Sequence, residues 1–334
     1  MEKIEQPKVS VIIPVYKAEK YIERCARSLF GQTLDSIEYI FIDDCTPDRS
    51  MEILWQVLDC YPERKPWVKI VRLSVNSHQA KARTTGMKAA TGEYQIHCDP
   101  DDWVELNLYE QLYIQAKKSN SDITTCRFKR VYPGHSKIEG YCFSGTAENC
   151  LKEFAFDFSL WSKLISTQLI IRHNIFPYEG IDCGEDLNVV FRALYYSKKV
   201  SCIPDAGYNY YCNPDSITHN GTINNIETHL LKNLQNLTTF VNDQHKYWLN
   251  ETLNKIKFSL KAPLIWTNPD FNYREAKYWC NLWPECHSAI KDLFPSMKGT
   301  ILNMLSSAPV FIYLYHKYLV TRQKGKTCSQ ITNL

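Results

Sequence analysis

The chain reads as an α/β protein with a mostly parallel central sheet flanked by helices, and three observations carry that reading. Short β-rich runs alternate with helical patterns through the first 130 residues, the signature of a parallel sheet covered by helices. Several of those runs end in an acidic or aromatic residue, and ligands of an open parallel sheet bind at such ends. The chain has 334 residues, 44% of them hydrophobic, enough for a large α/β domain and a smaller second unit.

Residues 9–15 (Val-Ser-Val-Ile-Ile-Pro-Val) form a buried strand. In 19–30, Tyr21, Ile22, Cys25, Ala26 and Leu29 make a helical stripe that stops at Gly31. A second strand over 37–42 ends in Asp43-Asp44, and Thr46-Pro47 supplies a capping hydroxyl and a first-turn proline for a helix reaching about residue 60. A strand over 68–73 and a helix over 79–90 follow, then a strand over 94–98 that delivers Asp99, Asp101 and Asp102. Asp102 and Glu105 have the spacing of a capping box for a helix over 103–118, which gives Asp102 a structural role and leaves Asp99 and Asp101. A fifth strand is expected over 123–128. The pattern then loosens, with helices expected near 149–158, 166–173 and 185–197 and a strand near 200–203, before a mostly helical region beyond residue 226.

Charge and cysteine content narrow the classes. Lys and Arg number 39 against 36 Asp and Glu, a net charge of +3 that gives no argument for nucleic acid. The 13 cysteines are scattered, with no Cys-x-x-Cys and no signal peptide, so they read as reduced thiols in a cytosol. The longest apolar stretch, over 308–315, is well short of the ~18–20 residues that cross a bilayer.

Carboxylates about 4 Å apart repel by roughly 4 kcal/mol at an effective dielectric near 20, so Asp99 and Asp101 share either a proton or a cation, and a cation is the expectation. Tyr16 at the first strand end suits stacking on a base, and Asp43 suits accepting from a base N–H. The bland alternatives are packing for the tyrosine and turn capping for the aspartates.

Residues 9–16, 43–50, Asn76 with Arg83 and Gly86, 91–94 and 99–103 together resemble the nucleotide-sugar-binding half of the inverting family 2 glycosyltransferases, which have the GT-A fold. The likeness continues through Trp161-Ser162-Lys163-Leu164, Gly184-Glu185-Asp186-Leu187, Tyr208 to Tyr211, and Ser216-Ile217-Thr218-His219, and is similar to the branch that builds bacterial capsule, exopolysaccharide and O-antigen. The resemblance implies that Pro14, Tyr16 and Asp43 hold the uracil of a UDP-sugar with Asn76 and Arg83 nearby. It implies that Asp99 and Asp101 meet the ribose and a diphosphate bound by Mn²⁺ or Mg²⁺, that Asp186 is the general base, and that His219 adds a metal or phosphate contact. The donor half would be 1–130 and the acceptor half 131–225 of a domain spanning 1–225, followed by a helical C-terminal region over 226–334. The acceptor would be a saccharide or lipid-linked oligosaccharide.

Four positions depart from the family: Cys45 stands where glycine is usual, Ser77-His78 replaces Gly-Gly, and Thr84 replaces asparagine. Lys81 adds charge beside that loop, read either as a phosphate contact or as an exposed helix lysine. Asp186 lies at a helix start, where the dipole favours its ionised form by ~0.3–1 kcal/mol; its bland role is to begin that helix. Trp103 and Trp161 read as core, and Lys163 as an ordinary surface lysine as readily as a site residue. Residues 302–319, followed by Arg322, Lys324 and Lys326, suit an interfacial helix at the inner face of the plasma membrane as well as one packed on the protein.

The rivals are a sugar-phosphate nucleotidyltransferase and a catalytically inactive nucleotide- or glycan-binding scaffold. The first wants a glycine-rich phosphate loop after the first strand, where Lys17-Ala18-Glu19-Lys20 has no glycine. Intact Asp99, Asp101 and Asp186 oppose the second.

Overall fold

The computed structural model describes residues 6–213, 223–262, 271–293, 302, 306 and 308–323. Two compact units meet in sequence at Leu237 and Thr238.

In the first unit, β1 (Val9–Val15), α1 (Ile22–Phe30), β2 (Ile37–Asp43), α2 (Ser50–Asp59), β3 (Val68–Arg72), α3 (His78–Ala89) and β4 (Tyr94–His97) alternate as expected. All seven residues of β1 and of β2 are buried, as their mostly apolar character requires, and the polar Ser10 and Glu38 are hydrogen-bonded to each other. Their order in the sheet is β3-β2-β1-β4, all parallel. Register pairs Val15 with Asp43, and Cys98 N donates to Ile12 O at 3.0 Å, so the ends carrying Tyr16, Asp43 and Asp99 share one edge. Helix α3 packs closely on this sheet because residue 86 is glycine; a Cβ there would stand 2.4 Å from Ile12 Cγ2.

Next come β5 (Trp103–Val104), α4 (Leu108–Ser119), β6 (Ile123–Tyr132), β7 (His135–Glu139), β8 (Gly145–Thr146), α5 (Ala147–Lys152), β9 (Lys163–Ser166), α6 (Thr167–Arg172), α7 (Glu185–Tyr196) and β10 (Lys199–Tyr211). Strand β9 lies antiparallel between β4 and β6, and β10 runs parallel to β6 and antiparallel to β5, continuing the order β4-β9-β6-β10-β5. The helix α8 (Ile223–Asp243) comes after β10.

Several expectations are corrected here. The helix after the acidic triplet starts at Leu108, with Asn107 rather than Asp102 at its cap; Trp103 and Val104 are instead drawn into pairing with β10. Thr46 does not cap α2, which begins at Ser50; its Oγ1 accepts from Lys17 N at 2.8 Å and donates to Asp48. The helix expected over 149–158 ends at Lys152. The strand expected over 200–203 is 13 residues long. Lys163 is buried within β9, with Nζ 2.7 Å from Asp157 Oδ1. Not every cysteine is a free thiol: Cys142 and Cys202 form a disulfide. Antiparallel pairing of Gly145 with Val200 brings the two together, at a Cα separation of 5.3 Å, within the usual span of such a bridge.

The second unit holds α9 (Trp248–Lys261), α10 (Tyr273–Asn281), α11 (Ile290–Leu293) and α12 (Pro309–Gln323) around Phe258, Trp279, Ile290 and Ile312. Among the described residues no helix is long and apolar enough to cross a membrane. Lys324 and Lys326 lie outside the described residues.

Candidate active site

At the end of β2, Asp43 is buried and its Oδ1 accepts from Thr46 N at 2.9 Å, with Arg72 Nε 3.4 Å from Oδ2. Asp44 is buried as well and accepts from Ser77 N at 2.7 Å; burial pushes its carboxyl up. Asn76 closes the turn into α3, its Oδ1 accepting from His78 N at 3.1 Å. Tyr16 is half-buried with the Lys17 ammonium 5.2 Å from its ring centre, and Pro14 is buried in register with Ile42.

Two of the family departures sit where the backbone is left-handed. Cys45 has φ 54° and His78 has φ 63°. That region is open to glycine and costs other residues on the order of 1 kcal/mol. The chain therefore keeps a glycine-type backbone at both loops while presenting side chains there.

Arg83 is the hub of the site. It is fully buried on α3, donating from Nε to Glu185 Oε1 at 3.1 Å and from Nη2 to Asp99 Oδ1 at 3.0 Å. Its Nη1 lies 3.2 Å from His97 Nδ1. A guanidinium only donates, so His97 Nδ1 accepts and the imidazole is neutral with its proton on Nε2; burial and then Arg83 hold its pKa well below the ordinary value. The sequence reading set Arg83 beside the base. In the structure its guanidinium meets protein groups, tying the turn after β4 to the start of α7.

Glu185 and Asp186 open α7, with Gly184 in the left-handed conformation (φ 70°) before them. Burial and then Asp186 push Glu185 up to about 8, against the pull of Arg83. Asp186 is also raised, by burial first, with Arg83 opposing and Asp99 adding to the rise. The dipole argument for an ionised Asp186 is thereby outweighed: desolvation and a like-charged neighbour exceed a helix-terminus effect of ~0.3–1 kcal/mol. A raised carboxyl is better matched to taking a proton near neutral pH than one held at its ordinary value.

In the turn after β4, burial and then Asp99 raise Asp101, whose Oδ2 accepts from Asn213 Nδ2 at 3.2 Å. Arg24 donates to Asp101 O at 2.7 Å while its guanidinium stacks 3.8 Å from the Trp103 ring centre. Trp103 is thus only half-buried, whereas Trp161 is core, stacked 4.4 Å from Tyr208. Asp102 is fully buried and locks β10, accepting from Tyr208 Oη at 2.6 Å and Tyr211 N at 2.7 Å. His219 lies outside the described residues. Sequence reasoning missed Glu185, His97, Asn213 and Tyr208 as members of this network. Glu185 was in view within Gly184-Glu185-Asp186-Leu187 and could have been found by asking what neutralises the buried Arg83.

The model of the family described as glycosyl transferase family 2 matches residues 10–157. EpsJ of Bacillus subtilis, described as an uncharacterized glycosyltransferase, is 32% identical over 246 residues, 71% of this chain and 70% of that protein. The chain belongs to glycosyltransferase family 2. Its fold is GT-A: the crystal structure of Staphylococcus aureus TarS 1–349 with UDP-GlcNAc superimposes with a TM-score of 0.71 at 19% identity, over 96% of this chain and 93% of that one. TarS is a poly(ribitol-phosphate) β-N-acetylglucosaminyltransferase, 26% identical over 216 residues, 61% of this family 2 chain and 35% of its own length. The mannosyltransferase PcManGT of Pyrobaculum calidifontis, solved with GDP-Man and Mn²⁺, aligns with a TM-score of 0.58 at 14% identity, over 96% of this chain and 85% of that one.

Proposed function

We propose that this family 2 enzyme is a metal-dependent inverting glycosyltransferase that moves a hexose or N-acetylhexosamine from a UDP-sugar to a glycan or lipid-linked saccharide in bacterial surface polysaccharide synthesis. The observation that carries the reading is the Arg83 bridge, which brings Asp99 and Glu185, the chain neighbour of Asp186, to one guanidinium. It gives a single site both a strand-end acidic turn for the donor and a carboxylate for the acceptor.

Tyr16 and Asp43 are the residues we assign to the base, with Pro14 and Asn76 shaping the two loops around it. Asp99 and Asp101 fit a hard divalent cation, being neighbouring oxygen donors, with Asp101 raised by burial and then by Asp99. Among the described residues no group of three or more His, Cys, Asp and Glu forms a ready ligand set, which suits an ion held by one or two carboxylates together with a diphosphate. Bound there, Mn²⁺ or Mg²⁺ would neutralise the charge of the leaving diphosphate. Asp186 takes the proton of the acceptor hydroxyl as its oxygen attacks the anomeric carbon, and UDP departs from the opposite face. Glu185, held on Arg83, keeps α7 at the distance that aims Asp186.

We assign catalysis to residues 1–225. For the C-terminal region, Val310, Phe311 and Leu314 are exposed on α12 while Ile312 and His316 are buried, which supports peripheral contact with the inner face of the membrane. Co-sedimentation with anionic liposomes before and after truncation at Pro295 tests it.

UDP release measured with a panel of UDP-sugars and Mn²⁺ or Mg²⁺ tests the main reading. Asp186→Asn is expected to lower turnover by about 10²–10⁴-fold with UDP affinity retained; unchanged turnover removes Asp186 as the base.

A further inference from the structure

Beside the site lies a cleft of about 500 Å³ between α3 and the 174–182 loop. Helix α3 turns Ala80, Arg83 and Met87 inward and leaves Lys81, Thr84 and Lys88, at spacings of three and four, along the wall of the cleft. Both lysines are exposed, and among the described residues neither pairs with a carboxylate. The Lys88 ammonium lies 5.2 Å from the ring centre of Phe176 on the opposite wall. The lining carboxylates are Glu179, exposed on the loop, and Asp182, whose Oδ1 accepts from Ala80 N at 3.3 Å.

Two of the lining residues, Ser77 and Asp182, link this cleft to the candidate site. Ser77, in its lining, donates its backbone N–H to Asp44. Asp182 lies four residues before Asp186 on the segment that leads into α7. The cleft thus opens beside the segment that carries Asp186. A neutral glycan has no use for two unpaired ammonium groups seven residues apart, about 10 Å along a helix. A phosphate ester does, because lysine binds phosphate as a point charge and charge-assisted bonds are the stronger ones.

We infer that this cleft is the acceptor subsite and that it selects acceptors carrying phosphate ester groups, which Lys81 and Lys88 receive. The inference rests on the glycosyltransferase reading above and names the acceptor class for that same site.

Calorimetric titration of the full chain in the presence of UDP tests it, with tetra(ribitol phosphate), farnesyl diphosphate and neutral maltotetraose as probes. At least one phosphate probe is expected to bind and maltotetraose not to. The double variant Lys81→Gln/Lys88→Gln is expected to weaken that binding by about tenfold or more, and Lys81→Arg/Lys88→Arg to restore it. Preference for the first probe identifies a polyol phosphodiester, and preference for the second a lipid-borne diphosphate. UDP affinity, measured alone, is expected to be the same in all variants. If UDP binds and both phosphate probes fail to, or bind the Gln variant as they bind the parent, the inference is overturned. A loss of UDP affinity in the Gln variant overturns it too, by giving the cleft to the donor. Failure of the parent chain to bind UDP removes the underlying reading instead.

Discussion

Asp101 and Asp102, in the turn after β4, accept hydrogen bonds from Asn213, Tyr208 and the Tyr211 backbone, whereas at the start of α7 Glu185, next to Asp186, leans on the guanidinium of Arg83. Both clusters are pushed up by burial. In the first, carboxylates are held by several neutral donors from strand β10 and from Asn213 just beyond its end. In the second, one cation holds Glu185 in place, while burial and the neighbouring carboxylate raise both groups against its pull. A rigid acidic turn suits a site that holds a ligand, and a charge-dependent pair suits one that exchanges a proton.

The largest test of this contrast removes the shared cation. Arg83→Met leaves Asp99 and Glu185 without their partner, and breaking a buried pair in this way is expected to cost about 3–5 kcal/mol of stability in urea unfolding. It should also abolish turnover.

The second test uses pH. The Glu185 carboxyl stands at about 8 in the folded chain, above the roughly 4.3 of an unperturbed glutamate. The folded state therefore holds the proton over that window, so the contribution of Glu185 is full below about pH 4 and is lost as pH rises toward 8. Stability measured from pH 4.5 to 8 should fall less steeply in Glu185→Gln than in the parent, and equal slopes would show that Arg83 holds the carboxylate ionised throughout.

A smaller effect is expected on the other side. Tyr208→Phe removes the hydroxyl that donates to Asp102 and accepts from Asp99 N at 3.1 Å. Leaving those buried groups unsatisfied should cost about 1–3 kcal/mol. The smallest change is favourable: Cys45→Gly, at φ 54°, should raise stability by about 1 kcal/mol, read as an increased midpoint of thermal unfolding.

The same contrast explains what the sequence disclosed. Strands β1, β2 and β4 and the helices between them are legible because their signals are local: short, mostly β-branched or aromatic runs, a helical stripe, a glycine stop. Asp43, Asp99 and Asp101 fall at strand ends and were found by position. Strand β9 has four residues and β5 two, too short for a period to show, and both exist because distant strands pair with them. Asp102 was misread for that reason: its spacing to Glu105 fits a local cap, but its partners, Tyr208 and Tyr211, are more than 100 residues away. Lys163 was open for the same cause, since a lysine is buried only when a partner such as Asp157 waits for it. The disulfide joins residues 60 apart, and its pairing is set by β8 against β10, which no cysteine spacing reveals.

One hydrogen atom, the missing side chain of Gly86, governs the reach of Arg83 three residues earlier on α3. With a methyl in its place the helix would have to lift off Ile12, and the guanidinium would retreat from Asp99 and Glu185 together. The separation between where a donor would be gripped and where an acceptor would be deprotonated is thus gauged by the thickness of a backbone lying flat on a strand, a ruler with no adjustable part.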